Sequence, residues 1–237
     1  MTSPHPALQL RYAIANAPLQ SYPFPHMYVR NVFPADFYRR LREHIPPREH
    51  FRTLTSLKRV FGAYPESRLV LPIAPEPVSE LEEPYRSFWK ETGKWLLSDD
   101  LLDFMLDIFE PLMPNASKSG LEGYRHEALL VQDYSTYKLD PHTDSPRKVL
   151  SVLFYLPPDE SLSHLGTAIY VPKDRNAVSD GSSHLPREDF ECVCTMPFVP
   201  NSMFAFVRTP KSFHGVEPIA EHEPRRDLLL YDVRLHA

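Results

Sequence analysis

From residue 124 onward the chain carries seven short β-branched or aromatic segments, "ALLVQDY", "KVLSVLFYLP", "GTAIYVP", "FECVCTMPF", "SMFAFVRT", "FHGVEPI" and "RDLLLYDVRL". Proline or polar turns separate them, and no helical pattern intervenes. This half constrains the fold most, because parallel strands need long crossover connections, usually helices. Seven or eight strands without them must pair antiparallel, as a sandwich or jelly roll. The 26 prolines and 7 glycines agree. They disfavour long helices and build turns on fixed proline φ angles.

Helices are expected in the first half. "FPADFYRRLREHIPP" places Pro34 near a helix start, repeats Phe37, Leu41 and Ile45 on one side and stops at Pro46 and Pro47. "SELEEPYRSFWKETGKWLL" is a weaker pattern interrupted by Pro84. "SDDLLDFMLDIFEPL" is the clearest, with Ser98 as N-cap, Asp99 and Asp100 in the positive first turn, and Leu101, Met105, Ile108 and Phe109 facing inward. These helices need a sheet to cover. The expected class is therefore α+β, mainly β, in one domain over 1–237: an N-terminal cap over 1–120 and a sandwich or jelly-roll core over 121–237. Residues 174–190, "KDRNAVSDGSSHLPRED", interrupt the core with a long polar stretch that is either a lid at the barrel mouth, the favoured reading, or a disordered loop.

The formal net charge is -5 with no long basic run, so nothing calls for a nucleic-acid partner. The cluster from Arg39 to Arg59 is read as a solvated helix face and loop, with anion binding as the alternative. Cys192 and Cys194, the only cysteines, lie two apart in an apolar stretch and are read as reduced core thiols. No stretch has the length of a membrane span or the make-up of a leader, so a cytoplasmic location is expected.

"KLDPHTDSPRKVLSVLFYLPP" sets His142 and Asp144 at the lip of a strand. The pair means little alone: 11 histidines and 31 acidic residues in 237 positions give about 1.4 His-x-acid pairs by chance. Context adds to it. "KSFHGVEP" puts His214 at the start of another apolar strand, with Gly215 allowing close backbone approach. Two imidazoles and a carboxylate on one face of a metal leave the opposite positions open, the ligand set that suits non-haem Fe(II). Arg226 opens "RDLLLYDVRL" and is costly to bury unless an anion meets it. A carboxylate-bearing cosubstrate would supply one. Strand alternation favours Arg226 over Arg225, since Arg226 shares its face with Leu228 and Leu230, whereas Arg225 would bring Asp227 inward. Tyr134 and Tyr137 are candidates for the pocket lining, whereas His126, His164, His184 and His222 are read as surface residues.

The order His-x-Asp, Tyr-Leu-Pro strand, Gly-Thr strand, Pro-Asn-x-x-x-x-Phe-like strand, Phe-His-Gly-Val-x-Pro and Arg resembles the Fe(II)/2-oxoglutarate-dependent oxygenases, particularly the prolyl-4-hydroxylase-like branch. The resemblance covers most of 124–234 and, more loosely, 20–45, where "YPFPHMYVRNVFPADFYRRL" is similar to that branch's strand-and-helix entry. It implies a double-stranded β-helix, a cupin-like jelly roll, with the N-terminal helices packed on one sheet. His142, Asp144 and His214 would be the iron ligands and catalytic residues. Arg226, helped by the Tyr155 hydroxyl, would hold the distal carboxylate of 2-oxoglutarate.

Dioxygen would be the oxidant and ascorbate an auxiliary reductant. The implied reaction hydroxylates a C–H bond with release of succinate and CO2. Halogenating relatives replace the carboxylate at the Asp144 position, so its presence favours hydroxylation or demethylation. The primary substrate is open among a small metabolite, a sugar-containing molecule and a peptide. Neither a membrane nor a nucleic acid is an expected partner. The contrasting expectation is a jelly-roll protein that binds a metal or sugar and oxidises nothing.

Overall fold

The computed structural model describes residues 3–60, 64–113 and 123–236. Sixteen elements are used below. The first half holds α1 (Pro6–Ala15), β1 (His26–Arg30), α2 (Ala35–Glu43), β2 (Arg52–Thr53), β3 (Arg68–Pro72), α3 (Pro75–Ser79), α4 (Tyr85–Leu96) and α5 (Asp99–Phe109). Then come β4 (Tyr124–Asp133), β5 (Leu139–His142), β6 (Lys148–Tyr155), β7 (Thr167–Pro172), β8 (Phe190–Met196), β9 (Ser202–Val207), β10 (His214–Val216) and β11 (Arg226–Leu235).

All pairings are antiparallel. A large sheet runs β1-β9-β6-β11-β4-β3-β2 and a smaller one β5-β10-β7-β8. This is the expected jelly roll. The seven segments read as strands all contribute strands, whereas β2 and β3, which also join the large sheet, and helix α1 had no pattern strong enough to announce them.

Alternation along the strands separates two cores. On β4, Ala128 and Leu130 pack with the helices, while Leu129 and Val131 face the smaller sheet. On β11, Leu229, Tyr231 and Val233 take the helix side and Leu228 the other. The helix-side core includes Phe37 and Leu41 of α2, Trp89 of α4 and Met105 and Phe109 of α5. α4 starts directly after Pro84, so the proline that weakened the pattern marks a helix boundary. Among the described residues no helix is long and apolar enough to cross a membrane.

Two expectations are corrected. Cys192 and Cys194 are exposed, because β8 is the outermost strand of the smaller sheet and Glu191 through Cys194 are open on both faces. A run of β-branched and sulfur residues marks a strand, but it does not say whether that strand is central. His126 is not a free surface group either. Its Nδ1 lies 2.8 Å from the Tyr231 hydroxyl, and burial lowers its pKa.

Ser98 caps α5 as expected, its hydroxyl accepting the Leu101 N–H at 3.3 Å, with Asp99 and Asp100 in the first turn. Ser98→Ala should cost about 1 kcal/mol and lower the melting temperature by about 2–4 °C in a thermal scan. An unchanged midpoint would show that the cap contributes nothing.

Candidate functional site

Sheet register brings the first pair together. His142, the last residue of β5, lies directly opposite His214, the first of β10. Their ring centroids are 4.4 Å apart. Gly215 permits this, since a Cβ there would sit 2.4 Å from the Leu139 carbonyl oxygen across the same pair of strands. Asp144 follows in the turn to β6, and one ligand atom from each of His142, Asp144 and His214 lies within 4.8 Å of the others. Among the described residues this is the cluster of histidine, cysteine and acidic side chains that can hold a metal ion.

The hydrogen bonds behind the triad fit a metal. Both imidazoles donate from Nδ1 to a backbone carbonyl two residues earlier, His142 to Asp140 and His214 to Ser212, each at 3.0 Å. A carbonyl can only accept, so Nδ1 carries the proton and Nε2 keeps its lone pair for a metal. Burial lowers both imidazole pKa values, and His214 lowers that of His142 further, so the pair is neutral and competent to ligate. Burial alone would raise Asp144. Lys148 and the Ser151 hydroxyl pull the other way, and the carboxyl is held well below its usual range. Ser151 Oγ donates to Asp144 Oδ2 at 2.7 Å. Lys148 Nζ lies 3.4 Å from Asp144 and 3.1 Å from Asp232, bridging the two carboxylates. Burial pushes Asp232 up to about 6, against the pull of Lys148.

The triad opens into a cavity of about 590 Å³ between the sheets. Arg226 lines it and is fully buried, as the alternation argument required, while Arg225 points outward and pairs with Asp227. The anion that meets Arg226 is, however, the chain's own. Arg226 Nη1 donates to Asp133 Oδ2 at 2.7 Å, and Arg68 donates to the same carboxylate from Nε at 2.6 Å and Nη2 at 2.8 Å. Arg68, Asp133 and Arg226 are register partners on β3, β4 and β11, so three adjacent strands aim them at one point. Both guanidiniums line the cavity and the carboxylate lies behind them. Two cations on one anion leave a surplus positive charge in a buried place, and Arg226 Nε is a buried donor with no partner.

Tyr155 stands one step back: its hydroxyl donates to Thr167 Oγ1 at 2.8 Å, and Thr167, which lines the cavity, also accepts from Arg226 Nη2 at 3.3 Å. Thr167 is two residues, roughly 7 Å of strand, from Ile169, the register partner of His214.

The loop over 174–190 reaches the mouth, where Gly181 to His184 line the cavity. The His184 ring lies 4.7 Å from that of His142 and 6.5 Å from that of Tyr64. Tyr64 lines the cavity and Tyr137 packs beneath Arg68, whose guanidinium carbon sits 4.4 Å from the Tyr137 ring centroid. Tyr134 packs instead with the helix-side core. Sequence reasoning missed Arg68, Asp133, Lys148 and Ser151. Asp133 alone carried a signal, because it continues the inward phase of Leu129 and Val131.

No protein-family model matches the chain, and no curated protein matches it. Solved structures do. The chain is similar to a 2OG-Fe(II) oxygenase family oxidoreductase from Burkholderia pseudomallei, with 12% identity, TM-score 0.50, and coverage of 99% of this chain and 92% of that one. It is also similar to a prolyl-4-hydroxylase from Pseudomonas putida, with 15% identity, TM-score 0.49, and coverage of 98% and 100%. A third is HygX from Streptomyces hygroscopicus with nickel, 2-oxoglutarate and hygromycin B bound, at 13% identity, TM-score 0.47, and coverage of 88% and 82%. The Burkholderia likeness shows that the chain has the fold of a 2OG-Fe(II) oxygenase family structure.

Ser151→Ala removes the hydrogen bond that orients Asp144 and should weaken divalent-metal binding roughly 10- to 100-fold in an anaerobic titration with ferrous ion, with the circular dichroism spectrum unchanged. Equal affinity would mean that Ser151 does not set the carboxylate.

Proposed function

We propose that the protein is an Fe(II)- and 2-oxoglutarate-dependent dioxygenase of the prolyl-4-hydroxylase-like branch that hydroxylates a C–H bond of its substrate. One observation carries this: a His-Asp-His triad and a buried, surplus-positive arginine pair share one cavity. The triad alone suits any metal-binding jelly roll. A buried positive charge beside it calls for an anion within a short reach of the metal, which a dicarboxylate fits.

His142, Asp144 and His214 would hold the iron, and Arg226 would receive the distal carboxylate of 2-oxoglutarate. Bound ferrous iron supplies the redox chemistry by which dioxygen converts 2-oxoglutarate to succinate and CO2 and adds one oxygen atom to a C–H bond. The chain's own residues bind, orient and exclude. Nδ1 donation fixes both imidazoles, and Ser151 and Lys148 keep Asp144 ionised. Thr167 and Tyr155 brace Arg226, while the 174–190 loop and Tyr64 wall the mouth from water. Ascorbate serves as an auxiliary reductant, and the substrate is a small molecule, a sugar-containing molecule or a peptide.

The direct test is succinate release from 2-oxoglutarate with ferrous ion, ascorbate and air, before any substrate is known. Slow uncoupled turnover is expected. Metal binding with neither turnover nor 2-oxoglutarate affinity would instead make this a non-catalytic metal- or sugar-binding jelly roll. Arg226→Ala should weaken 2-oxoglutarate binding more than Arg225→Ala does, and the reverse order would remove Arg226 from the role.

Arg68→Gln leaves Asp133 free to neutralise Arg226. It should weaken 2-oxoglutarate binding by about tenfold or more, and adding Asp133→Asn should recover most of the loss in calorimetry. No recovery would show that Arg68 acts by packing and not by charge.

A further inference from the structure

The arrangement at Asp133 occurs twice on the same sheet face. Toward the far ends of β4 and β11, Glu127 accepts from Arg234 Nε at 2.8 Å and is also paired with Arg59. In both clusters the carboxylate comes from β4, one arginine from β11 and the other from the segment before residue 69. In both, the two guanidiniums line the cavity and the carboxylate stands behind them. Arg226 and Arg234 are eight residues apart, about 26 Å along the strand. The inner cluster is nearly sealed, whereas the Arg59 and Arg234 side chains are 25% and 26% exposed. One is a dead end and the other a wall at the opening.

The outer cluster connects to the triad. Asp232, one inward position before Arg234 on β11, is bridged by Lys148 to Asp144. Asp232 is shared by Lys148 and by Arg234, whose Nη2 lies 3.7 Å from it, so at the outer wall Arg59, Arg234 and Lys148 face Glu127 and Asp232 and one positive charge is left over. Arg59 Nη2 and Arg234 Nε are engaged by Glu127, and their remaining N–H groups make no hydrogen bond with any described residue. Arg59 belongs to the basic run read from the sequence as a solvated face and loop, with anion binding as the alternative.

Resting on the dioxygenase function above, we propose that Arg59 and Arg234 form an anion-binding subsite for the primary substrate, which carries a carboxylate or phosphate group. An anion held there sets its neighbouring carbons toward Asp144 and the metal face. The inner pair takes the cosubstrate's charge and the outer pair takes the substrate's.

The test uses the full chain loaded anaerobically with ferrous ion and saturating 2-oxoglutarate, so that the inner pair is occupied. It is then titrated by calorimetry with methyl phosphate and, in a parallel arm, acetate. Saturable binding of one probe is expected, and the tighter of the two identifies the anion class. Arg59→Gln and Arg234→Gln should each weaken it by about tenfold. Glu127→Gln, which removes the competing carboxylate, should tighten it, a gain that a misfolded variant cannot produce.

No binding of either probe to the wild type, or undiminished binding by both arginine variants, overturns the subsite. Binding that disappears when 2-oxoglutarate is added also overturns it, since the probe then sat on the inner pair. Failure of 2-oxoglutarate to bind in the loading step would count against the dioxygenase function alone. Probe binding lost in Arg59→Gln would support the outer site even then.

Discussion

The antiparallel pairing of β4 with β11 is the constraint on which the rest depends. Ten residues on each strand are in unbroken register, from Arg226 opposite Asp133 to Leu235 opposite Tyr124. One face of this ribbon supports the helices and the other forms the cavity wall. A slip of one residue would turn every one of these side chains to the opposite face. The apolar outer face, with Leu229, Tyr231 and Val233 fully buried, is what makes such a slip too costly. The register of the charged face is therefore paid for by hydrophobic burial on the other.

On that face the electrostatics follow a simple rule. A lone arginine as buried as Arg226 would be strongly unfavourable, and a lone Arg-Asp pair would leave nothing to attract a ligand. Two arginines on one aspartate satisfy both needs: the carboxylate fixes the guanidinium planes, and one positive charge remains. Asp133 is thus a brace that also competes for the charge it positions, and Arg68 tips the balance back. The His-Asp-His triad follows a related rule, because backbone carbonyls set both imidazole tautomers without any further side chain.

Much of this was legible in the sequence where local chemistry and tertiary placement agree. The strands of the second half appear because β-branched and aromatic runs between prolines have few other uses, and α5 appears because its cap, its first-turn acids and its apolar stripe coincide. Arg226 was separable from Arg225 because period-two alternation decides which side chain faces inward. Arg68 was hidden: β3 is five residues long and its role comes from pairing with a strand 60-odd positions later, which no local pattern encodes. The exposure of Cys192 and Cys194 was hidden for a similar reason, since being last in a sheet is a property of topology. His184 is exposed, as the sequence suggested, but nothing local says that its loop folds back beside His142.

That loop has a mechanical bearing. Arg208 donates both to the backbone carbonyl of Asp144, at 3.1 Å, and to that of Ser179 in the loop, at 3.2 Å. Arg187, at the loop's other end, is tied to Asp140, two residues before His142, and to Glu217 just beyond β10. The cover is thus stitched at both margins to the turns that present the imidazoles and the carboxylate. Lifting it would pull on them, so any opening of the cavity mouth would be felt at the side chains of His142 and Asp144.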